Sequence, residues 1–280
     1  QSPYLLNIIE PNLLGKIYEI FLTEQLVLLE NNTIGLGKKK DCQNRSVVTT
    51  PTEIVKYMVD KTLSKVCEGK TPSEILDISV ADIACGSGIF LEEAFAYLQD
   101  YCVQWYICNG QTDHLIETGI DLYKLPLQEK KDILCSCIYG IDIDIHAVEV
   151  AKFSLLIKLI EDETAPSVSE VVPILPDLGD NIQFGNSLVS QTELNGISGA
   201  NHQMMEIAPF DWSTINNGCG FDVIIGNPPY VNTEGMHALL PSAEVEIYKK
   251  KYKTSHKQFD KYFIFIEQAI NKINENGLVC

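Results

Sequence analysis

The sequence predicts an α/β protein built on a doubly wound, mainly parallel sheet. Short apolar runs typical of buried strands alternate with longer segments whose apolar residues recur at helical spacing. Four turns rich in small and polar residues follow the strand-like runs, at 82–88, 142–144, 185–187 and 226–230. Ligands of open α/β sheets bind outside the carboxyl ends of the strands, so these turns are the candidate functional positions.

The first part of the chain contains two predicted helices, a strand and a third helix. Residues 12–30 have helical periodicity, and the polar residues 31–46 favour a loop. Thr50-Pro51 is typical of a helix start with Thr50 as the cap, and the helix continues through "TEIVKYMVDKTLSKV". A strand over 75–83 and a helix over 88–101 follow.

The rest of the chain continues the alternation. Residues 102–126 are ambiguous, and an insertion with its own helix is one interpretation. The later predictions are, in order, a helix over "LQEKKDILCSC", a strand "IYGID", a helix over 146–162, a loop over 163–180, a strand and turn in "NIQFGNSL", a turn-rich stretch over 189–220, a strand over 221–225 and a helix near 259–275.

Both ends of the sequence indicate a fragment of a longer protein. The chain does not begin with Met, and its last residues, "ENGLVC", resemble a strand that is cut short. We therefore expect the sheet to be incomplete at its C-terminal end, with the chain stopping where a fifth strand begins.

Composition narrows the classes of protein that remain. No apolar run reaches the ~18 residues of a membrane helix, and the first residues lack the basic and apolar regions of a secretory signal. The chain has nine cysteines, an odd number, and none forms CxxC. This pattern disfavours a zinc site or a disulfide framework, so we expect no metal. Free thiols are typical of a reducing cytoplasm, which is the predicted location.

A net charge of −17 argues mildly against a nucleic-acid binder, because phosphate contacts require Lys and Arg. One short stretch departs from this balance, with two tyrosines, Tyr248 and Tyr252, among its lysines. The stretch is either a solvated helix face or a phosphate-binding surface, and both interpretations stay open. Its lysines are Lys249, Lys250, Lys251, Lys253, Lys257 and Lys261.

The stretch "VADIACGSGIF" places Gly86 and Gly88 between a strand and a helix. Glycines there let a ligand approach the backbone, and the free N–H groups of a helix start can bind it. A tight turn without a ligand is the alternative. Asp82 at the strand end would suit an amino group and repel a phosphate, and no GxxxxGK[ST] motif indicates a P-loop.

Two further turns carry polar side chains at strand ends. Asp142 can accept hydrogen bonds from ribose hydroxyls, or it can cap the next helix, a role that Asp144 fits better. Ile143 can pack on an adenine face. Asn186, in "FGNSL", can bind an adenine edge through its amide, although Gly-Asn is commonly only a turn.

The stretch "FDVIIGNPPY" ends a strand with acceptors in a stiff frame. Asn227 offers an amide oxygen, and Pro228 and Pro229 offer carbonyl oxygens without N–H donors. Two acceptors can hold both hydrogens of a planar –NH2 group and turn its lone pair out of conjugation, which makes the nitrogen a better nucleophile. Tyr230 can stack on the ring that carries the amine. A Pro-Pro turn that merely ends the strand is the alternative.

In this order the motifs resemble those of S-adenosylmethionine-dependent N6-adenine DNA methyltransferases of restriction–modification systems, in the type IIG and type I-like group. "LLGKIYEIF", "TTPTEIVKYMV" and "KYFIFIEQAINKINENGLV" extend the resemblance over nearly the whole chain. It implies a Rossmann-like class I methyltransferase fold. It also implies an N-terminal helical segment and linker over 1–48, then a catalytic domain over 49–280 that is truncated and lacks the target-recognition domain.

The resemblance also assigns roles. Asn227 and Pro228 grip the target amine, Pro229 completes the turn, Tyr230 stacks on a base flipped out of double-stranded DNA, and Asp142, Ile143 and Asn186 bind the cofactor's ribose and adenine. The residues that hold the methionine part of S-adenosyl-L-methionine are Thr50, Asp82, Ala84, Cys85, Gly86, Ser87 and Gly88. The sequence has Thr49 where many relatives have tyrosine and Asn186 where many have Asp.

Partners follow from the same resemblance. We expect double-stranded DNA, bound mainly by regions outside this chain with a contribution from Lys249, Lys250, Lys251 and Lys253, and a fused nuclease or separate specificity subunit. The NPPY turn also occurs in methyltransferases of protein glutamine and of ribosomal RNA, so these stay alternatives. So does a non-catalytic scaffold with the same fold. A different nucleotide-binding oxidoreductase fits poorly, because the third glycine and the usual Asp spacing are absent.

Overall fold

The computed structural model describes residues 17–18, 24–28, 34–38, 50–164, 171–197 and 200–280. Two antiparallel strands come first, β1 (Glu24–Leu28) and β2 (Ile34–Lys38). The prediction of a helix over 12–30 is therefore wrong at 24–28, although Ile17 and Tyr18 are helical. The other residues of the predicted N-terminal segment lie outside the described ranges.

The central sheet follows, and every neighbouring pair of its strands is parallel. From one edge to the other its strands are β7 (Ile182–Phe184), β6 (Ile138–Asp142), β3 (Val80–Asp82), β8 (Phe221–Ile224) and β9 (Ile273–Val279). The elements from residue 52 onward are α1 (Thr52–Cys67), α2 (Pro72–Ile75), β3 (Val80–Asp82), α3 (Ile89–Cys108), β4 (Ile116–Gly119), β5 (Leu122–Lys124), α4 (Leu127–Cys137), β6 (Ile138–Asp142), α5 (Ile145–Ile160), β7 (Ile182–Phe184), α6 (Gln191–Asn195), α7 (Met204–Ile207), β8 (Phe221–Ile224), α8 (Thr233–Leu239), α9 (Ser242–Lys251), α10 (Lys261–Lys272) and β9 (Ile273–Val279).

Alternating side chains of the strands build two separate cores, one on each face of the sheet. Val80 and Ile138 pack with buried residues of α1, α3, α4 and α5. The next residues, Ala81 and Tyr139, pack on the opposite face with α9 and α10. Successive side chains of a strand point to opposite faces, so helices cover both sides and the predicted doubly wound fold is confirmed.

The fifth strand corrects the predicted end of the sheet. Ile273–Val279 pairs with β8 through Ile224 and Val279, and Cys280 N–H donates to Ile224 O at 3.0 Å. The strand is therefore formed within this chain, whereas we expected the chain to stop where it begins. The strand forms because its backbone N–H and C=O groups pair with those of β8, and this pairing cannot be seen in the local sequence.

Two helix starts differ from each other in how they are capped. Asp144 caps α5 by accepting the N–H of His146 at 2.9 Å, which confirms the prediction. The predicted Thr50 cap of α1 is wrong: Pro51 occupies the N-cap, and its carbonyl accepts from Ile54 and Val55 at 2.9 and 3.1 Å. The Thr50 side chain contacts the NPPY turn instead.

The ambiguous stretch 102–126 resolves into two pieces. Its first residues extend α3 to Cys108, and the rest contains a single turn of 3₁₀ helix (Thr112–His114) and the antiparallel hairpin of β4 and β5. It therefore has no separate helix of the α type. Within the described residues, no helix is long and apolar enough to cross a membrane.

Candidate functional site

The carboxyl ends of β3 and β8 lie side by side in the sheet, so the turns that follow them share one cavity of about 540 Å³. Parallel pairing puts these ends at the same edge. Of the site residues predicted from the sequence, six line this cavity: Thr50, Asp82, Ala84, Asn227, Pro228 and Tyr230. Gly226, at the start of the second turn, lines it too.

Asp82 is the acidic residue among those that line this cavity. It is 3% exposed, and one of its oxygens accepts the N–H of Ala84 at 2.9 Å. Burial raises its pKa to about 7, the Ala84 hydrogen bond opposes that rise, and the charge of Asp142 adds to it. A cationic group in the cavity would therefore stabilise the charged form of Asp82.

The two predicted glycines serve different purposes. Gly86 has φ +53°, and a Cβ added there would meet no atom within 4 Å, so the turn is open on that side. Gly88 has φ +91° and lies against α5, where an added Cβ would be 3.0 Å from Cβ of Ala151. Between them Ser87 is buried, and Cys85 before them is buried too. Gly86 thus suits ligand approach, and Gly88 suits helix packing.

Asp142 ties the end of β6 to the glycine turn. Its carboxylate oxygens accept the N–H of Gly86 at 2.8 Å and the N–H of Asp144 at 2.9 Å. Burial raises its pKa, and these hydrogen bonds oppose the rise. Ile143 beside it is 46% exposed. These two residues flank the glycine turn and are outside the lining of the 540 Å³ cavity.

Tyr18 is a contact that sequence reasoning missed. Its hydroxyl donates to Oδ2 of Asp144 at 2.8 Å, across 126 positions of the chain. Burial and the neighbouring carboxylates raise its pKa. Tyr18 lies in "LLGKIYEIF", a stretch that is part of the family resemblance. Nothing in the residues around it indicates that its hydroxyl lies beside the end of β6.

Asn186 belongs to a buried polar network. It is 3% exposed; its amide donates to Glu244 at 3.0 Å, and its amide oxygen accepts from Leu188 N–H at 3.1 Å. The Tyr248 hydroxyl also donates to Glu244, and the ammonium of Lys261 lies 3.5 Å from it. The structure therefore does not bring the Asn186 amide into the cavity lining, and its adenine contact stays a prediction.

The NPPY turn is held by residues far from it in sequence. The side-chain amide of Asn227 donates to Oγ1 of Thr50 at 3.1 Å. Asp260 accepts the N–H of Val231 at 3.0 Å, directly after the turn. Pro228 lines the cavity, while Pro229 is half-buried and outside the lining.

Aromatic side chains border the cavity beside this turn. The ring of Tyr230 is 49% exposed, and its centroid is 5.3 Å from that of Tyr262 on α10. Phe265 and Ile266 of the same helix also line the cavity. Sequence reasoning missed these α10 residues; the apolar spacing within "KYFIFIEQA" was the available signal, but it did not say which face meets the NPPY turn.

The lysines of the predicted basic surface occupy different environments in the structure: some are exposed, some pair with carboxylates, and one is buried. Lys249 and Lys250 are exposed, and Lys250 pairs with Glu246 at 2.7 Å. Lys251 pairs with Glu193 at 2.9 Å, and Lys253 is exposed in the loop that follows α9. Lys261 is buried beside Glu244, so its assignment to a solvated or phosphate-binding surface is wrong. A buried carboxylate requires a partner, and Lys261 supplies it.

The parallel sheet, the open glycine turn and the acceptor-rich turn beside it define a Rossmann-like α/β protein of the class I methyltransferase type. Residues 136–280 match the Eco57I restriction-modification methylase family, and the chain belongs to that family.

Two relatives extend the comparison. The type II restriction enzyme and methyltransferase RM.Eco57I of Escherichia coli is 44% identical over 277 residues, which are 99% of this chain and 27% of that protein. A putative type II restriction enzyme and methyltransferase of Methanocaldococcus jannaschii, RM.MjaORFECS2P, is 28% identical over 67% of this chain and 17% of its own length. The chain thus spans about a quarter of the first relative.

A solved structure supports the fold. The chain superposes on a DrdV–DNA complex determined by cryo-electron microscopy with a TM-score of 0.50 and 18% identity, over 85% of this chain and 20% of that one. At this identity the likeness concerns the fold alone.

Proposed function

We propose that this chain is the catalytic part of a restriction–modification DNA methyltransferase that transfers a methyl group from S-adenosyl-L-methionine to N6 of adenine in double-stranded DNA. Membership of the Eco57I methylase family and the names of both relatives support DNA over protein glutamine or ribosomal RNA as the substrate. They also support a nuclease in the same protein, because both names join a restriction enzyme to a methyltransferase.

The observation that carries the proposal is the shared cavity of the β3 and β8 turns. Asp82, from the first turn, and Asn227, Pro228 and Tyr230, from the second, all line the same 540 Å³ space. A volume of this size is within the range of small-molecule sites. A methyl donor on the first side and an amine on the second would be neighbours, so that positioning supplies much of the acceleration.

The residues beside the cavity have the chemistry that the cofactor requires. Asp82 offers a carboxylate to the cationic amino group of the methionine part, and the open side of Gly86 admits its backbone. Asp142 still has acceptor capacity for ribose hydroxyls, and the exposed Ile143 suits the adenine face. The rest of the glycine turn would enclose the methionine part of the cofactor, and it consists of Ala84, Cys85, Ser87 and Gly88. Asn186 would contact the adenine only after its amide breaks its hydrogen bond to Glu244. The bound cofactor would supply an electrophilic methyl group on a sulfonium.

The NPPY turn would bind and activate the acceptor. The Asn227 amide oxygen and the Pro228 carbonyl accept the two hydrogens of the adenine amine, which turns the nitrogen lone pair toward the methyl group. Pro229 keeps the turn stiff, and Tyr230 stacks on the extruded base. As the new C–N bond forms, the bond between the methyl carbon and the donor's sulfur would break, and its electron pair would stay on the sulfur as a neutral thioether. The amine would lose one proton, which water at the cavity mouth can take.

Double-stranded DNA would lie across the cavity mouth. The lysines that follow the NPPY turn in sequence and are exposed to solvent could contact its phosphates. They include Lys249, Lys250 and Lys253. Lys251 would contribute only after leaving Glu193. The division into a segment over 1–48 and a catalytic domain over 49–280 is part of this proposal, and most sequence reading would come from regions outside this chain.

The test is methyl transfer from tritiated S-adenosyl-L-methionine to mixed DNA by the complete protein, with the product base identified by mass spectrometry. We expect N6-methyladenine and a loss of at least a hundredfold in Asn227→Ala, because the amine loses its principal acceptor. Asn195→Ala, on an exposed position of α6, is the matched control and should retain full activity.

Two results would contradict the proposal. One is label in a base other than adenine, which would exclude the N6 assignment. The other is equal transfer by Asn227→Ala and the unsubstituted protein, which would remove the NPPY turn from catalysis.

A further inference from the structure

Thr50 and Asn227 are joined by a hydrogen bond across 177 positions of the chain. Thr50 precedes α1, Asn227 follows β8, and both line the 540 Å³ cavity. The side-chain nitrogen of Asn227 is the donor, and Oγ1 of Thr50 accepts at 3.1 Å. The family resemblance assigned Thr50 to the cofactor, whereas the structure places its hydroxyl on the catalytic asparagine.

From this contact we infer that Thr50 is a positioning residue, which fixes the direction of the Asn227 amide so that the amide oxygen is presented to the target amine. The inference rests on the proposed function, since it concerns how the same turn binds its substrate.

The physical reason is that an asparagine amide has two nearly isosteric ends with opposite hydrogen-bonding character. Its oxygen accepts two hydrogen bonds and its nitrogen donates two, and rotation of the last torsion exchanges them. An amine donor requires the oxygen end. In the opposite orientation, two –NH2 groups would face each other and no hydrogen bond would form.

Thr50 gives the nitrogen end a partner in the productive orientation. Because the Thr50 hydroxyl accepts from Nδ2, the half of the amide that does not serve the amine is satisfied in the half-buried turn. Without the hydroxyl, the productive orientation would lose this hydrogen bond, and its advantage over the opposite orientation would shrink.

The backbone positions of Thr50 and Asn227 are fixed by the elements that flank them, so the two side chains stay within hydrogen-bonding distance. Pro51, at the N-cap of α1, restricts Thr50 to extended backbone, and the helix is anchored by the buried Val55, Val59 and Leu63. On the other side, Ile225 N–H donates to Ala81 O at 2.9 Å and Gly226 N–H to Cys280 O at 3.2 Å. The sheet therefore fixes the base of the NPPY turn.

The experiment compares Thr50→Val, which keeps the shape and removes the hydroxyl, with Thr50→Ser, which keeps the hydroxyl. Single-turnover methyl transfer by the complete protein is measured at saturating S-adenosyl-L-methionine, and cofactor affinity is measured separately by calorimetry. We expect a roughly tenfold to hundredfold slower transfer in Thr50→Val, near-normal transfer in Thr50→Ser, and similar cofactor affinity in all three proteins.

Two further measurements make the result specific to Asn227. In an Asn227→Ala background, Thr50→Val should have no additional effect on the transfer rate, because the group that Thr50 orients is gone. The side-chain amide resonance of Asn227, assigned by its absence in Asn227→Ala, should exchange its protons faster in Thr50→Val. Thr52→Val is the matched control, since Thr52 is outside the cavity lining.

An unchanged transfer rate in Thr50→Val overturns the inference, and weaker cofactor binding alongside that unchanged rate would return Thr50 to the cofactor site. An equal effect of Thr50→Val with and without Asn227 overturns it as well. Failure of the proposed function has a different signature, because the unsubstituted protein would then methylate no adenine; that result overturns both.

Discussion

Gly226 lies directly against the carboxylate of Asp82: a Cβ built on Gly226 would be 2.5 Å from Oδ1 of Asp82. Asp82 is the last residue of β3, and Gly226 follows the end of the neighbouring parallel strand β8 by two positions, which explains the close approach. Any side chain at position 226 would displace a carboxylate that the Ala84 N–H already holds. Gly226 thus brings the start of the NPPY turn against the end of β3.

Replacement of this glycine tests the relationship. Gly226→Ala should lower the free energy of unfolding by about 1–3 kcal/mol, because overpacking forces the buried carboxylate or the turn to move. It should also weaken cofactor binding, and both effects can be followed by urea denaturation and calorimetry. Gly119→Ala is the matched control, since its added Cβ would approach Leu122 at an ordinary 3.4 Å.

The cause can be separated from a general effect of alanine on the turn. In an Asp82→Ala background the carboxylate is absent, so Gly226→Ala should cost much less stability than it does alone. Additive losses in the double variant would show that the clash is not with Asp82.

The raised pKa of Asp82 predicts a pH dependence of stability. The pKa is about 7 in the folded protein against an ordinary 3.8, so between these values the folded state keeps a proton that the unfolded state has lost. The free energy of unfolding therefore falls as the pH rises from about 4 to about 7. Asp82→Asn cannot ionise, and its stability relative to the unsubstituted protein should grow across this window, by at most about 4 kcal/mol.

Urea denaturation at several values of pH between 4 and 8 measures this difference. Asp60→Asn, on the exposed face of α1, is the control and should follow the unsubstituted protein throughout. Parallel curves for Asp82→Asn and the unsubstituted protein would mean that Asp82 does not titrate in this window.

Tyr230 is expected to stack on the extruded base. The residue is 49% exposed at the cavity edge, and its ring lies beside that of Tyr262, which places an aromatic surface where a planar ligand would enter. Tyr230→Ala should weaken binding of the target DNA by roughly tenfold to a hundredfold, because base–aromatic stacking contributes about 1–3 kcal/mol per base. Tyr230→Phe keeps the ring and should bind nearly normally.

Fluorescence of 2-aminopurine at the methylated position reports extrusion of the base directly. Its increase on binding should be smaller in Tyr230→Ala than in Tyr230→Phe. Tyr57→Ala, an exposed aromatic of α1 outside the cavity lining, is the control. Equal fluorescence in all variants would mean that Tyr230 does not receive the base.

The exposed lysines of α9 are expected to contact phosphates. Replacement of Lys249 and Lys250 by Gln should reduce the slope of log affinity for DNA against log salt concentration by about 2, because each lost phosphate contact removes about 0.9. The double replacement of Lys61 and Lys65, near the far end of α1, serves as a charge-matched control. A slope that changes equally in both variants would indicate a general charge effect and no specific contact.

Local patterns in the sequence determined the layers of the fold and the location of the site. Short apolar runs predicted β6 and β8, helical apolar repeats predicted α4 and α5, and the cap at Asp144 was predicted from its neighbours alone. Parallel strands end at one edge, so the turns at 82–88 and 226–230 could be expected to meet before any contact was known.

Only the tertiary structure decided which side chains complete that site. The residues around Thr50 are typical of a helix start with a Thr cap, yet its hydroxyl accepts a hydrogen bond from Asn227. The residues around Lys261 are typical of a basic surface, yet its ammonium group pairs with the buried Glu244. The approach of Gly226 to Asp82 and the pairing of β9 with β8 are likewise absent from any local pattern. The reason is physical: repeats and caps depend on neighbours a few positions away, whereas these contacts join residues brought together by the packing of whole helices and strands.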